Sequence, residues 1–137
     1  MDQELFEEGL RNRREVLGAA YVDAALARAD AFSRPWQEFM TQYCWGALWG
    51  RPGLPRKTRS MLNLAMLVAL NRPDEFKVHV RGALGNGVSR EEIGEILLQT
   101  AVYAGVPAAN AAFKDAREVF AEIDREAAPQ KPSPAAE

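Results

Sequence analysis

"RKTRSMLNLAMLVALNRPDEFKVHVRGALGNGVSREEIGEILLQTAVYAGVPAAN", residues 56–110, decides the fold, and its punctuation divides it into helices. Pro55 stands just ahead of it with a backbone angle suited to a helix start, and the helix it opens is apolar through Leu70. Pro73 opens the next helix, and Gly85 and Gly87 offer left-handed positions at its end. "SREE" (Ser89–Glu92) is a capping box, in which a serine and a glutamate three residues on satisfy each other's backbone N–H groups. That helix stops at Gly105, and Pro107 begins another. No alternating run bounded by turn residues reads as a strand.

The flanks read the same way. "QELFEEGLRNRREVLG" (3–18) spaces Leu5, Phe6, Leu10, Val16 and Leu17 for one helical face and ends at Gly18. "YVDAALARADAF" (21–32) is a short Ala-rich helix. Ser33 caps the next helix and Pro35 sits in its first turn, ahead of "WQEFMTQYCWGALWG" (36–50) and the loop "RPGL" (51–54). The expectation is one all-α domain over residues 1–126. The Pro- and Ala-rich tail "AAPQKPSPAAE" (127–137) carries few large apolar groups and is expected to be disordered.

Composition narrows the function classes. The chain has 137 residues and a formal net charge of -2, which provides no basic field for nucleic acid. The run "LAMLVAL" (64–70) is too short to cross a bilayer, and the acidic N-terminus "MDQELFEEG" does not resemble a signal peptide. A single cysteine, Cys44, precludes an internal disulfide and fits a reducing cytoplasm. A lone histidine with no cysteine cluster argues against a metal site. "MLNLAMLVAL" and "ILLQTAVYAGV" are apolar nearly all round, which a small monomer hides poorly, so a homo-oligomer is expected.

Few side chains stand out as chemistry. His79, the only histidine, lies mid-helix among Phe76, Val80 and Ala83. It is either a half-buried core imidazole or a general acid or base, its ordinary pKa lying near working pH. Arg81 points about 200° away from it on an ideal helix, while Glu75, one turn back, is placed to orient the ring. "YCWGALWGR" gathers Tyr43, Trp45 and Trp49 before Arg51, as core packing or as a pocket wall with a cationic anchor for a carboxylate. "RKTRS" (56–60) sets three cations in a first helical turn, where the macrodipole disfavours them and an anion is wanted. Asn63 and Gln99 are polar residues inside the two most apolar helices, serving as inter-helix hydrogen bonds or pocket donors.

"RPWQEFMTQYCWGALWGRPGL" (34–54), the quoted 56–110 string and "REVFAEI" (117–123) together resemble the carboxymuconolactone decarboxylase family, nearly to the end of the helical region. The family's wider superfamily contains thiol peroxidases with a C-x-x-C-x-x-x-H motif. Its histidine matches His79, but its cysteines fall on Arg72 and Glu75 and its upstream glutamate on Ser60, so dithiol chemistry is excluded. Where the family commonly has cysteine in "YCGVPAAN", this chain has Ala104.

The resemblance implies an all-helical, cofactor-free lyase assembled as a homo-oligomer, a hexamer. It would remove CO2 from 4-carboxymuconolactone to give 3-oxoadipate enol-lactone, a step of protocatechuate catabolism. The substrate's acetate arm would need a guanidinium, with Arg51, Arg59 and Arg81 as candidates. Charge on the lactone oxygen would be met by Trp45, Tyr43, Asn63 or Gln99, with Trp49 as a further wall. His79 would supply the proton, with Glu38 as second acid or as the group orienting it. Two rival readings are a related lactone-processing lyase or hydrolase, and a non-catalytic oligomeric binding protein on the same fold.

Overall fold

The computed structural model describes residues 1–129. The described residues contain seven α-helices and one π-helix, and no strand. The α-helices are α1 (Gln3–Leu17), α2 (Ala19–Ala27), α3 (Arg34–Met40), α4 (Arg56–Ala69), α5 (Pro73–Gly85), α6 (Arg90–Ala104) and α7 (Val106–Ala127). The π-helix spans Thr41–Leu48 and continues α3 without a break. The expected single helix over 36–50 is therefore two kinds of helix in series. Of the tail expected over 127–137, Ala127 closes α7, and residues 130–137 lie outside the described residues.

Most helix ends match their sequence signals. Ser89 Oγ accepts from Glu92 N–H at 3.0 Å while Glu92 Oε1 accepts from Ser89 N–H at 3.0 Å, completing the capping box. Gly105 turns the chain between α6 and α7 at φ 117°, a conformation that a residue with Cβ adopts only under strain. Gly87 has φ 93°, whereas Gly85 remains helical; among the described residues Asn71, at φ 56°, is the one non-glycine at positive φ. Ser33 caps nothing: its Oγ accepts from Asp30 N–H in a turn that Asp30 Oδ1 closes by accepting from Phe32 and Ser33. This turn stops the second helix at Ala27, short of the expected Phe32.

The chain folds in two parts. Helices α4–α7 enclose the main core of Leu64, Val68, Phe76, Val80, Ala83, Ile93 and Leu97, closed from α7 by Ala112, Ala116 and Val119. In the N-terminal part, α1 lies along the π-helix over a smaller core of Val16, Trp45 and Trp49. Gly9 makes that approach possible, because a Cβ there would sit 2.0 Å from the carbonyl oxygen of Thr41. The two parts meet where α1 packs on α5, with Val16 against Gly82.

Candidate active site

His79 stands where the two parts meet. Its ring lies parallel to that of Trp45, with centroids 6.1 Å apart and planes 7° apart. Trp45 stacks on Trp49 in turn, at 5.1 Å and 19°. Both indoles are buried, so a wall of two tryptophans covers the imidazole from the N-terminal part. Trp45 lies in the π-helix and Trp49 caps it four residues on, which sets the two on nearly the same side, and π segments are frequent at functional sites.

The imidazole is not a satisfied core histidine. Its Nδ1 is buried and has no hydrogen-bond partner among the described residues, a costly arrangement for a group kept only for packing. Burial holds its pKa below the ordinary 6.5, and Glu75, one turn earlier on α5, partly opposes this. The ring is therefore mainly neutral at neutral pH in the free protein.

The basic turn that opens α4 is mostly compensated. Arg56 pairs with Glu15 of α1 and also donates to Asn12 Oδ1 at 2.7 Å. Lys57 pairs with Glu92 at 3.1 Å. Arg59 alone of the three has no carboxylate among the described residues. Its Nη2 donates to the Arg51 carbonyl at 3.3 Å, which holds it beside the loop that follows Trp49, and its Nε is buried without an acceptor. An incompletely bonded guanidinium at a helix N-terminus is a receptor for an anion.

The other residues singled out from sequence go to several places. Arg81 is committed to α7, donating to Glu126 at 2.8 and 3.0 Å and to Glu122 at 3.3 Å, so its guanidinium is spent on surface ion pairs. Tyr43 is 68 % exposed and stacks on Phe39 at 5.4 Å, because two residues along the π-helix carry it to the side away from Trp45. Gln99 lines a groove between α4 and α6 that contains none of His79, Trp45 and Trp49. Glu38 is half-buried on α3, and the carboxylate whose charge reaches His79 is that of Glu75 instead. Asn63 is half-buried one turn beyond Arg59 on the same face of α4, and the Arg51 side chain is exposed. The structure thus brings together His79, Trp45 and Trp49, and sets Arg59 against the adjoining loop.

Two buried polar residues of α1 were missed. Asn12 donates through Nδ2 to the carbonyl of Trp45 at 2.9 Å. Arg13, only 4 % exposed, donates to Gln37 Oε1 at 2.9 Å. A signal existed: Gly9, Asn12, Arg13 and Val16 fall on one helical face, and all are buried. Among the described residues no group of three or more His, Cys, Asp or Glu could hold a metal ion, and no helix is long and apolar enough to cross a membrane.

Residues 34–118 match the model of the carboxymuconolactone decarboxylase family, a span that takes in the π-helix, Arg59 and His79. The chain is 43 % identical over 122 residues to 4-carboxymuconolactone decarboxylase of Acinetobacter baylyi, covering 89 % of this chain and 91 % of that one. It is 46 % identical over 107 residues to nitrosuccinic acid decarboxylase of Metarhizium robertsii, covering 78 % and 75 %. It is also 34 % identical over 90 residues to an uncharacterised 15.0 kDa protein of Paracoccus denitrificans, covering 64 % and 66 %.

Proposed function

The chain belongs to the carboxymuconolactone decarboxylase family, and from that premise we propose that it converts 4-carboxymuconolactone to 3-oxoadipate enol-lactone and CO2. The observation that carries the reading is the near end-to-end likeness to the Acinetobacter baylyi decarboxylase, joined to a buried imidazole under two indoles and a guanidinium with no carboxylate partner among the described residues.

The chemistry fits these residues. The substrate carries two carboxylates, one on the ring carbon and one on an acetate arm. Arg59 binds the arm, with the Arg51 side chain at the rim as a second cation. The ring carboxylate leaves as CO2, and its bonding pair moves through the ring alkene to the lactone carbonyl. Because the substrate supplies its own electron sink, the protein has only to receive negative charge on the carbonyl oxygen and deliver one proton. Trp45 Nε1–H and the Asn63 amide are the donors suited to the first task. His79 performs the second, protonating the carbon next to the carbonyl. The imidazole is neutral in the free protein, and the arriving dianion raises its pKa, so it takes up a proton when it is about to donate one. The stacked indoles exclude water and strengthen each of these interactions.

The Metarhizium robertsii relative favours a broader reading of the same site. Nitrosuccinic acid and 4-carboxymuconolactone are both succinates substituted at one carbon by an electron-accepting group. The selected feature is then the anchored carboxymethyl arm, and the sink varies.

A homo-oligomer, a hexamer, is the proposed assembly. The groove between α4 and α6, of about 550 Å³, is lined by Met61, Leu62, Ala65, Met66 and Ile96. Tyr103 on its wall and Val102 beside it are 86 % and 79 % exposed, an apolar surface suited to a second copy.

The test is to supply 4-carboxymuconolactone, without added cofactor, and to follow the enol-lactone by ultraviolet absorbance and the released CO2. Conversion is expected, and 2-nitrosuccinate offered in parallel measures the breadth of the site. No conversion of either by the assembled protein would overturn the reading.

A further inference from the structure

The π-helix leaves one carbonyl out of its ladder. Trp49 N–H bonds to the Cys44 carbonyl at 3.0 Å and Gly50 N–H to the Gly46 carbonyl at 3.2 Å, so the return to tighter spacing steps over Trp45. A carbonyl skipped in this way needs a partner from elsewhere. Asn12 provides it, with Nδ2 at 2.9 Å in buried surroundings. The other end of the same amide accepts from Arg56 Nη2 at 2.7 Å, and Arg56 Nη1 donates to Glu15. With its oxygen held by a cation and its nitrogen by a carbonyl, the amide has one workable orientation.

We propose that Asn12 is a positioning residue for His79, acting through Trp45. The skipped carbonyl belongs to the residue whose ring lies parallel to the imidazole and against Trp49. Asn12 fixes that backbone where it would otherwise be free to slide between π and α spacing, and so fixes the plane of the indole that covers His79. Arg56 extends the clamp to α4, one turn before Arg59, so one chain of hydrogen bonds joins the wall over His79 to the helix carrying the incompletely bonded guanidinium. The proposal rests on the reading that His79 acts on the substrate.

Asn12→Asp tests it. The substituted carboxylate keeps the shape and the contact with Arg56 but offers no donor to the Trp45 carbonyl. His79 is the only histidine, so its ring gives a single set of 1H–13C signals that needs no assignment. In a folded Asn12→Asp protein these signals are expected to shift and broaden, and kcat to fall about tenfold with KM within about twofold, as for a misplaced catalytic group. Arg56→Gln, which releases the clamp from a partly exposed position, moves both readouts the same way by a smaller amount. A merely structural Asn12 would lower thermal stability and leave the imidazole signals and kcat in place, and that result overturns the proposal. Should Asn12→Asp fail to fold, unchanged signals in Arg56→Gln overturn it equally. The ring signals are read without substrate, so a wild-type protein inactive on the lactone would fail the functional reading while leaving the clamp measurable.

Discussion

His79 and Trp45 lie with their rings parallel, planes 7° apart and centroids 6.1 Å apart, although one comes from the four-helix C-terminal part and the other from the π-helix. The imidazole and its cover thus belong to different packing units. Their registry depends on α1, which touches both the π-helix and α5.

Replacing His79 by Gln keeps the size and polarity of the side chain and removes the titrating group. Turnover is expected to fall by about 100-fold or more, the usual weight of a general acid, with helical content and assembly unchanged. Steady-state kinetics beside sedimentation checks this; near-normal turnover would remove His79 from the proton-transfer role.

The pH dependence separates the free protein from the substrate complex. If His79 must be protonated to act, activity falls as pH rises through its pKa. Burial keeps that pKa below 6.5 in the free protein, so the falling limb of kcat/KM belongs below 6.5. A bound dianion raises it, so the limb of kcat lies at higher pH. Coincident limbs would mean that the substrate's charge does not reach the imidazole. Stability carries the matching sign: the unfolded chain takes up this proton first as pH falls through 6.5, so His79 costs stability in the window below it. Urea titrations should show a shallower loss there in His79→Gln than in wild type.

The arginines divide by what they already touch. Arg59→Ala should raise KM by about tenfold or more with kcat little changed, since a charge-assisted contact present in both ground and transition states has been lost. Arg81→Ala should leave both constants unchanged and cost no more than about 1 kcal/mol in stability, the weight of exposed ion pairs. A KM effect at Arg81 and none at Arg59 would reverse the assignment of the anchor.

Helix identity and most helix ends were legible because they depend on local rules: a proline that opens, a glycine that stops, a serine and glutamate that cap. The π-helix was not legible, since "QYCWGALWG" has the same apolar spacing whether its turns hold four or five residues. Tyr43 lies two residues from Trp45 and so falls on the opposite face at either spacing; grouping it with the tryptophans rested on aromatic composition, which carries no direction. Arg81 and Arg59 are indistinguishable as residue types; only the acids of α7 and the loop carbonyl of Arg51 separate them. Asn12 showed the limit most plainly, because its partner is a backbone oxygen that no side-chain pattern announces.

Gly9 is where the N-terminal part is most sensitive. A Cβ at Gly9 would lie 2.0 Å from the Thr41 carbonyl oxygen and 2.9 Å from Gly46 N, both backbone atoms that cannot turn aside. Gly9→Ala should therefore cost about 3 kcal/mol or more, as overpacking against backbone does, and should lift α1 from the π-helix. Gly53→Ala in the loop, where a Cβ meets nothing within 4 Å, is the control. Thermal melts of the two should differ by many degrees; equal melts would show that α1 shifts at little cost.

The groove between α4 and α6 allows a test of assembly that leaves the site alone. Met66 lines it and is 50 % exposed, while His79, Trp45 and Arg59 are absent from its walls. A carboxylate placed there would be solvated in a lone chain and desolvated without a partner if a second copy covers the groove, a penalty of several kcal/mol for each buried charge. Met66→Glu is accordingly expected to shift the sedimentation coefficient to a smaller species while helical content stays constant. An unchanged coefficient would mean that no second copy covers the groove.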